Sequence, residues 1–271
     1  MSTAYVHGYD PRETERLRDQ ADTLVDLLHR DTVYPPGHRV LEAGCGVGAQ
    51  TVTLARQSPD AEIVSVDISA ASVAEAERRV RAVGHTNVAF QQADLFALPF
   101  EAASFDHAFV CFVLEHVAEP ARALAEVMQR VRPGGTVTVI EGDHGSAYFH
   151  PDSAAAHAAI QCLVDLQREA GGDANIGRQI YPLMAEAGLA DVRVSPRMVY
   201  ADASRPSLVE GFIRRTFTPM VEGVRAPALA AGLMSPPAFD DGIRALYRTA
   251  EPDGSFCYTF FKGVGVRSRA A

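Results

Sequence analysis

Between Arg39 and Glu141 short apolar runs alternate with longer amphipathic stretches, and this alternation leaves the chain few folds to choose from. Arg39–Glu42, Ile63–Val66, Val88–Gln91, Phe105–Val113 and Thr136–Ile140 are rich in β-branched and other apolar residues and read as strands. Between them, about Ala49–Gln57, Ala70–Val83 and Glu119–Val131 read as helices, the second closed by Gly84 and the third stopped by Pro133-Gly134-Gly135. Successive parallel strands need a crossover, which a helix supplies, so this order implies a parallel sheet with helices on both faces. The nearly continuous apolar run Phe105–Val113 fits a strand buried on both sides.

The flanks extend the same plan. Leu17, Ala21, Leu24, Leu27 and Leu28 give Asp10–Arg30 one apolar helical face, and Tyr34-Pro35-Pro36-Gly37 breaks it. Gly177–Gly188 reads as a helix, and Asp191–Tyr200 and Phe256–Val266 complete a set of seven strands. Ser146–Asn175 and Ser207–Ala250 are mostly helical interruptions. The expectation is one α/β domain over 1–271, without internal repeats. It comprises an N-terminal helical segment 1–36, a core 37–145, a helical insertion 146–175, sheet completion by 176–203 and 254–267, and a helical cap insertion 204–253.

Composition excludes several classes. The chain has 271 residues, with 25 Lys+Arg against 34 Asp+Glu and a net charge of −9. Nucleic-acid binding needs clustered positive charge, and the densest basic group, Arg78, Arg79 and Arg81, sits on a polar helix. The longest purely apolar run, Ala108–Leu114, is far short of the roughly 18 residues of a spanning helix. Met1–Arg18 is too polar for a secretory signal. Cys45, Cys111, Cys162 and Cys257 are widely spaced with no C-x-x-C, so neither a zinc site nor a disulfide framework is expected. The reading is of reduced thiols in a cytoplasmic protein that holds no metal. Lys262 is the only lysine.

The chemistry centres on Gly44-Cys45-Gly46-Val47-Gly48, a glycine turn between a strand and a helix. Glycine lets backbone approach a ligand closely, and the following helix start offers free N–H groups. Glu42 precedes the turn, Asp67 ends the second strand and Asp94 follows the third. The three acids fall along the carboxyl edge of one parallel sheet, where open α/β sheets bind ligands. A dinucleotide fingerprint is G-x-G-x-x-G, whereas here the third glycine comes one residue early. A carboxylate at Glu42 would repel a pyrophosphate and suit an ammonium or sulfonium. Two other readings stand beside this one: Asp67 and Asp94 as helix caps, and Cys111 and Phe112 as core residues.

The full set of motifs is Val40-Leu41-Glu42-Ala43-Gly44-Cys45-Gly46-Val47-Gly48, Val66-Asp67-Ile68-Ser69, Ala93-Asp94-Leu95 with Leu98-Pro99-Phe100, Ser104-Phe105-Asp106, Leu114-Glu115-His116-Val117, and Leu124 to Arg132-Pro133-Gly134-Gly135. In this order and spacing it resembles the class I S-adenosylmethionine-dependent methyltransferases. Within them it is most similar to the small-molecule branch related to the quinone-biosynthesis enzymes. The resemblance covers about Arg39 to Glu141 and weakens beyond it. It implies a seven-stranded, mostly parallel, Rossmann-like sheet with helices on both faces and helical insertions. It also implies S-adenosylmethionine as cofactor, S-adenosylhomocysteine as product and a small-molecule acceptor. By the same resemblance Glu42, Gly44, Cys45 and Gly46 lie along the methionine part of the donor. Asp67 binds the ribose, Ile68 flanks the adenine, Asp94 takes the adenine amino group with Leu95 beside it, and Cys111 packs near the sulfonium. Tyr9 and Gln20 are placed over the donor by position only.

Methyl transfer from a sulfonium is an in-line displacement with a neutral leaving group, so alignment in a closed site does most of the work. A base is needed only where the nucleophile arrives protonated. Glu141-Gly142-Asp143-His144-Gly145-Ser146, with His150 beyond, follows the fifth strand. His144 is the candidate base, since an imidazole titrates near neutrality, and Asp143 the residue to orient it through a turn. The alternative is a loop that merely shapes the pocket. Phe212, Phe217, Met220 and Met234 in the second insertion could roof an apolar acceptor pocket, form plain core or make a homodimer contact. Two rival functions are an NAD(P)-dependent oxidoreductase on a related sheet and a non-catalytic S-adenosylmethionine-binding protein.

Overall fold

The computed structural model describes residues 11–268 and groups them into two compact units. One holds residues 28–141, 177–196 and the chain from 261 on; the other holds the chain up to 27, 142–176 and 197–260.

After α1 (Pro11–His29), most of which belongs to the other unit, the first unit holds β1 (Arg39–Ala43), α2 (Ala49–Gln57), β2 (Glu62–Asp67), α3 (Ala70–Ala82), β3 (Val88–Gln92), β4 (Phe105–Cys111) and α4 (Pro120–Arg130). Each helix start follows local chemistry. The Ser69 hydroxyl accepts the Ser72 N–H at 3.2 Å and caps α3, and Pro120 opens α4, where a missing N–H costs nothing. Ala123, Leu124 and Val127 form the buried stripe of α4. β5 (Val131–His150), α5 (Ala154–Glu169), α6 (Ile180–Glu186), β6 (Leu189–Asp202) and β7 (Ser255–Arg267) complete a seven-stranded sheet of order β3-β2-β1-β4-β5-β7-β6. The pairs β1–β2, β1–β4, β2–β3 and β4–β5 are parallel. The carboxyl ends of β1, β2 and β4 therefore lie side by side, and Val40, Leu41, Ile63, Val66, Ala108, Phe109 and Val110 are almost wholly buried.

The fifth strand departs from expectation. It does not end at Ile140 but runs through Asp143 and His144 to His150. Pro133-Gly134-Gly135, expected only to stop α4, is absorbed into it as a register shift opposite Phe105–His107. Gly135 is required there, because a Cβ would stand 2.2 Å from the Asp106 carbonyl oxygen.

The other unit contains most of α1, the far ends of β5, β6 and β7, α5, and a helical run between β6 and β7. That run comprises α7 (Pro206–Leu208), a π-helical stretch Val209–Phe217, α8 (Thr218–Gly223), α9 (Arg225–Ala230) and α10 (Pro236–Arg248). Its core is aromatic: Phe212, Phe217, Phe256, Tyr258 and Phe260 lie with ring centroids 4.8–6.0 Å apart. The insertion 146–175 is helical only from Ala154, because β5 takes its first residues.

Candidate functional site

The glycine turn is anchored from below by the sheet. Gly44 and Cys45 both donate their N–H to the Val66 carbonyl, at 2.8 and 2.9 Å. Gly44, Gly46 and Gly48 have φ of 81°, 51° and 77°, the left-handed region closed to most side chains. At Gly48 a Cβ would lie 2.8 Å from the Ala76 Cα, so glycine lets α2 start against α3. At Gly46 a Cβ would meet nothing within 4 Å, so open space borders the turn.

Asp67 ties this turn to the end of β2. Its Oδ2 accepts the Gly46 N–H and its Oδ1 the Ser69 N–H, both at 2.9 Å. The capping alternative thus resolves against Asp67 itself, since Ser69 caps α3. Ile68 is 59% exposed despite being apolar. Asp94 does cap: its Oδ1 accepts the Phe96 N–H at 2.9 Å at the head of a 3₁₀ turn, Leu95–Ala97, whose Leu95 is half-buried.

Glu42 is buried beneath the turn, with the Ser65 hydroxyl donating to its Oε2 at 2.5 Å. Burial pushes its carboxyl up to about 7, against the pull of that hydrogen bond. Burial likewise raises the thiols of Cys45 and Cys111, reinforced by the neighbouring Glu42 carboxylate at Cys45 and by Glu141 at Cys111. Both are inert thiols that present a small apolar surface. Beyond Cys111 the chain turns through Phe112, with φ of 58°. Glu115 and His116 fall in a 3₁₀ turn, Leu114–His116, with their side chains 3.5 Å apart.

His144 lies in the other unit and is 5% exposed. Its Nδ1 is 2.7 Å from the Tyr258 hydroxyl, its N–H donates to the Ala174 carbonyl at 3.0 Å, and Phe217 stands edge-on to its ring. Asp143 is buried beside it in sequence, its carbonyl accepting the Ser146 hydroxyl at 2.7 Å. No turn separates the two, because β5 continues through both. Gln20, on α1 and half-buried, accepts from Arg16 Nη1 at 3.1 Å. Tyr9 lies outside the described residues. Tyr258 was missed from the sequence, although the alternation Phe256, Tyr258, Phe260 puts three aromatic rings on one face of β7.

Known proteins resemble this chain in sequence and fold. Residues 41–139 match the family model described as a methyltransferase domain. The chain is similar to methyltransferases over those residues. It is 34% identical over 221 residues to an uncharacterized 37.1 kDa protein in a transposon of Streptomyces fradiae, covering 80% of this chain and 61% of that one. It is 37% identical over 106 residues to a demethylmenaquinone methyltransferase of Beutenbergia cavernae, covering 39% of this chain and 41% of that one. The chain thus spans less than two thirds of the length of either curated relative. Its methyltransferase fold also superposes on a Haemonchus contortus phosphoethanolamine N-methyltransferase solved with S-adenosyl-L-methionine. The TM-score is 0.58 at 20% identity, over 93% of this chain and 53% of that one. No helix among the described residues is long and apolar enough to cross a membrane.

Proposed function

We propose that this chain transfers a methyl group from S-adenosylmethionine to a small organic acceptor, releasing S-adenosylhomocysteine. The observation that carries the reading is the glycine turn set between carboxylates at the carboxyl edge of the sheet. Its residues fit the donor. Open space borders Gly46, Asp67 is held rigid by two backbone N–H groups, and Ile68 offers an exposed apolar face. Glu42 and Asp67 suit a cationic ligand and would oppose a pyrophosphate.

In this reading Asp67 takes the ribose hydroxyls, Ile68 flanks the adenine, and Asp94 takes the adenine amino group beside Leu95. Glu42, Gly44, Cys45 and Gly46 line the methionine portion, with Cys111 closing the apolar side. When bound, the donor supplies an electrophilic methyl on a positively charged sulfur. The protein's part is to align that methyl and exclude water. His144 serves as base for acceptors that arrive protonated, with Asp143 and the β5 backbone fixing its place. A cytoplasmic setting belongs to the same reading and is supported by four free thiols, three buried and one half-buried.

The test is calorimetry with S-adenosylhomocysteine and, beside it, NAD, followed by turnover on an acceptor panel. Binding of S-adenosylhomocysteine alone is expected, and binding of NAD alone would replace this reading with the oxidoreductase. Donor binding without turnover on any acceptor would favour the non-catalytic alternative. His144→Ala is expected to lower turnover but not donor affinity, and the loss should shrink for acceptors already ionised at the assay pH. An equal loss on every acceptor would make His144 a positioning group.

A further inference from the structure

Glu141 has no part in the donor contacts above, yet it is a fully buried carboxyl at the heart of the same sheet edge. Its Oε1 accepts two backbone N–H groups, from Val113 at 3.0 Å and Leu114 at 2.8 Å. Its Oε2 is closed off from solvent, with no hydrogen-bond partner among the described residues. Burial, and then the Glu115 carboxylate, hold its pKa well above the ordinary range, against the pull of the backbone N–H groups. One oxygen is committed to backbone N–H groups and the other is enclosed, so this acid acts through what it holds.

What it holds is the turn after β4. Phe112 enters that turn with φ of 58°, a conformation strained for a bulky residue that persists only where surroundings enforce it. The Phe112 N–H reaches back to the Ile140 carbonyl at 2.9 Å, and the next two N–H groups go to the Glu141 side chain. One residue pair, Ile140 and Glu141, thus fixes three successive amides. The turn aims the Val113 side chain at the glycine loop: a Cβ on Gly44 would lie 2.4 Å from Val113 Cγ2. Val113 therefore occupies the space that only glycine leaves at position 44.

We propose that Glu141 is a positioning residue of the donor site, clasping the Val113–Leu114 turn so that Val113 wedges Gly44 and sets the glycine loop for Asp67 and the ligand. The assignment rests on the methyl-donor reading for its ligand but not for its mechanics. Glu42, Asp67 and Asp94 therefore do not act alone, because the loop's shape is set from β5.

The test uses the full chain and three variants, Glu141→Gln, Glu141→Leu and Val113→Ala. It reads S-adenosylhomocysteine affinity, thermal unfolding, and hydrogen exchange at residues 44–48, 113 and 114. Glu141→Gln keeps a carbonyl acceptor and is expected to stay within about threefold of the parent affinity, because a neutral amide can accept the same two N–H bonds. Glu141→Leu leaves those N–H groups buried and unpaired, so affinity should fall by about tenfold or more and exchange should rise at all the named residues. Should Glu141→Leu not fold, Val113→Ala, which disturbs no polar group, carries the same test. It should weaken binding by about fivefold and loosen residues 44–48 while sparing 113 and 114. Unchanged exchange at 44–48 in a folded Glu141→Leu or Val113→Ala variant would overturn the proposal. So would a Glu141→Gln variant as impaired as Glu141→Leu, which would assign the effect to charge. If the parent binds neither donor nor product, the methyl-donor reading fails, while the exchange data still decide the clasp.

Discussion

The two ends of the parallel strands β1, β2, β4 and β5 handle charge in opposite ways. At the amino ends charges meet their partners. Asp106 accepts the Arg39 N–H at 2.7 Å and pairs with Arg132, while Arg39 lies 4.8 Å over the Phe105 ring. Burial pushes the Asp106 carboxyl up, but the Arg39 N–H and Arg132 together hold it below its ordinary range. His38 and His107 share a 3.0 Å contact, and His107 reaches the Thr136 hydroxyl at 2.7 Å. At the carboxyl ends Glu42, Asp67 and Glu141 are held by a hydroxyl and by backbone N–H groups. At one end carboxylates meet cations; at the other they meet only neutral donors, and burial raises Glu42 and Glu141. The same sheet thus separates a stabilising end from a binding end, as its topology allows.

The sharpest probe of this contrast is pH. Glu42 is raised from 4.5 to about 7, so the fold binds a proton there more tightly than the unfolded chain does. Stability from this group is full below about pH 4.5 and is lost as pH rises through about 7, by about 3 kcal/mol in all. Denaturant titrations from pH 4 to about 8.5 should show that fall in the parent and its absence in Glu42→Gln. Parallel curves would mean that Glu42 is not the group that resists ionisation. Next in size is Asp67→Ala, expected to weaken S-adenosylhomocysteine binding by more than about tenfold with the fold intact, since a charge-assisted contact to the ligand and the Gly46 tether both go. Unchanged affinity would remove Asp67 from the site. The smallest effect on donor binding belongs to the amino end. Burial, and then His38, bring His107 down to about 4, so its contribution is full above about pH 6.5 and is lost as pH falls toward 4. His107→Gln should flatten that acid limb and leave donor affinity within about twofold of the parent. A larger binding loss would break the division between the two ends.

Most of this carboxyl edge was legible in the sequence. Strand periodicity placed β1 to β4 within two residues of their observed bounds, and the acid-flanked glycine turn marked where they converge. What stayed hidden depends on contacts distant in sequence. Glu141 read as one of several ionisable groups after a strand, and only the fold shows that it clasps residues 27–28 positions earlier. Tyr258 lies 114 residues from His144, beyond the reach of any local pattern. The length of β5 is hidden in the sequence because glycines at 134, 135, 142 and 145 look like turn signals. In the fold Gly135 makes room for a neighbouring carbonyl and Gly142 for the Tyr258 hydroxyl, 2.5 Å from where a Cβ would stand. A glycine that yields space and a glycine that ends a strand look identical in sequence.

Lys262 is the only lysine in the chain, and it is 3% exposed. Its ammonium donates to the Leu28 carbonyl, the Asp31 carboxylate and the Thr32 hydroxyl, at 3.3, 2.7 and 2.5 Å. Three acceptors arrayed around a point suit a compact ammonium better than the flat fork of arginine, the basic residue used everywhere else. The result is a single-site reporter supplied by the sequence itself. An acylating reagent finds one side-chain amine in this chain, hidden while the core around it stays closed. The rate at which that site is tagged then times the opening of the molecule with no engineered probe.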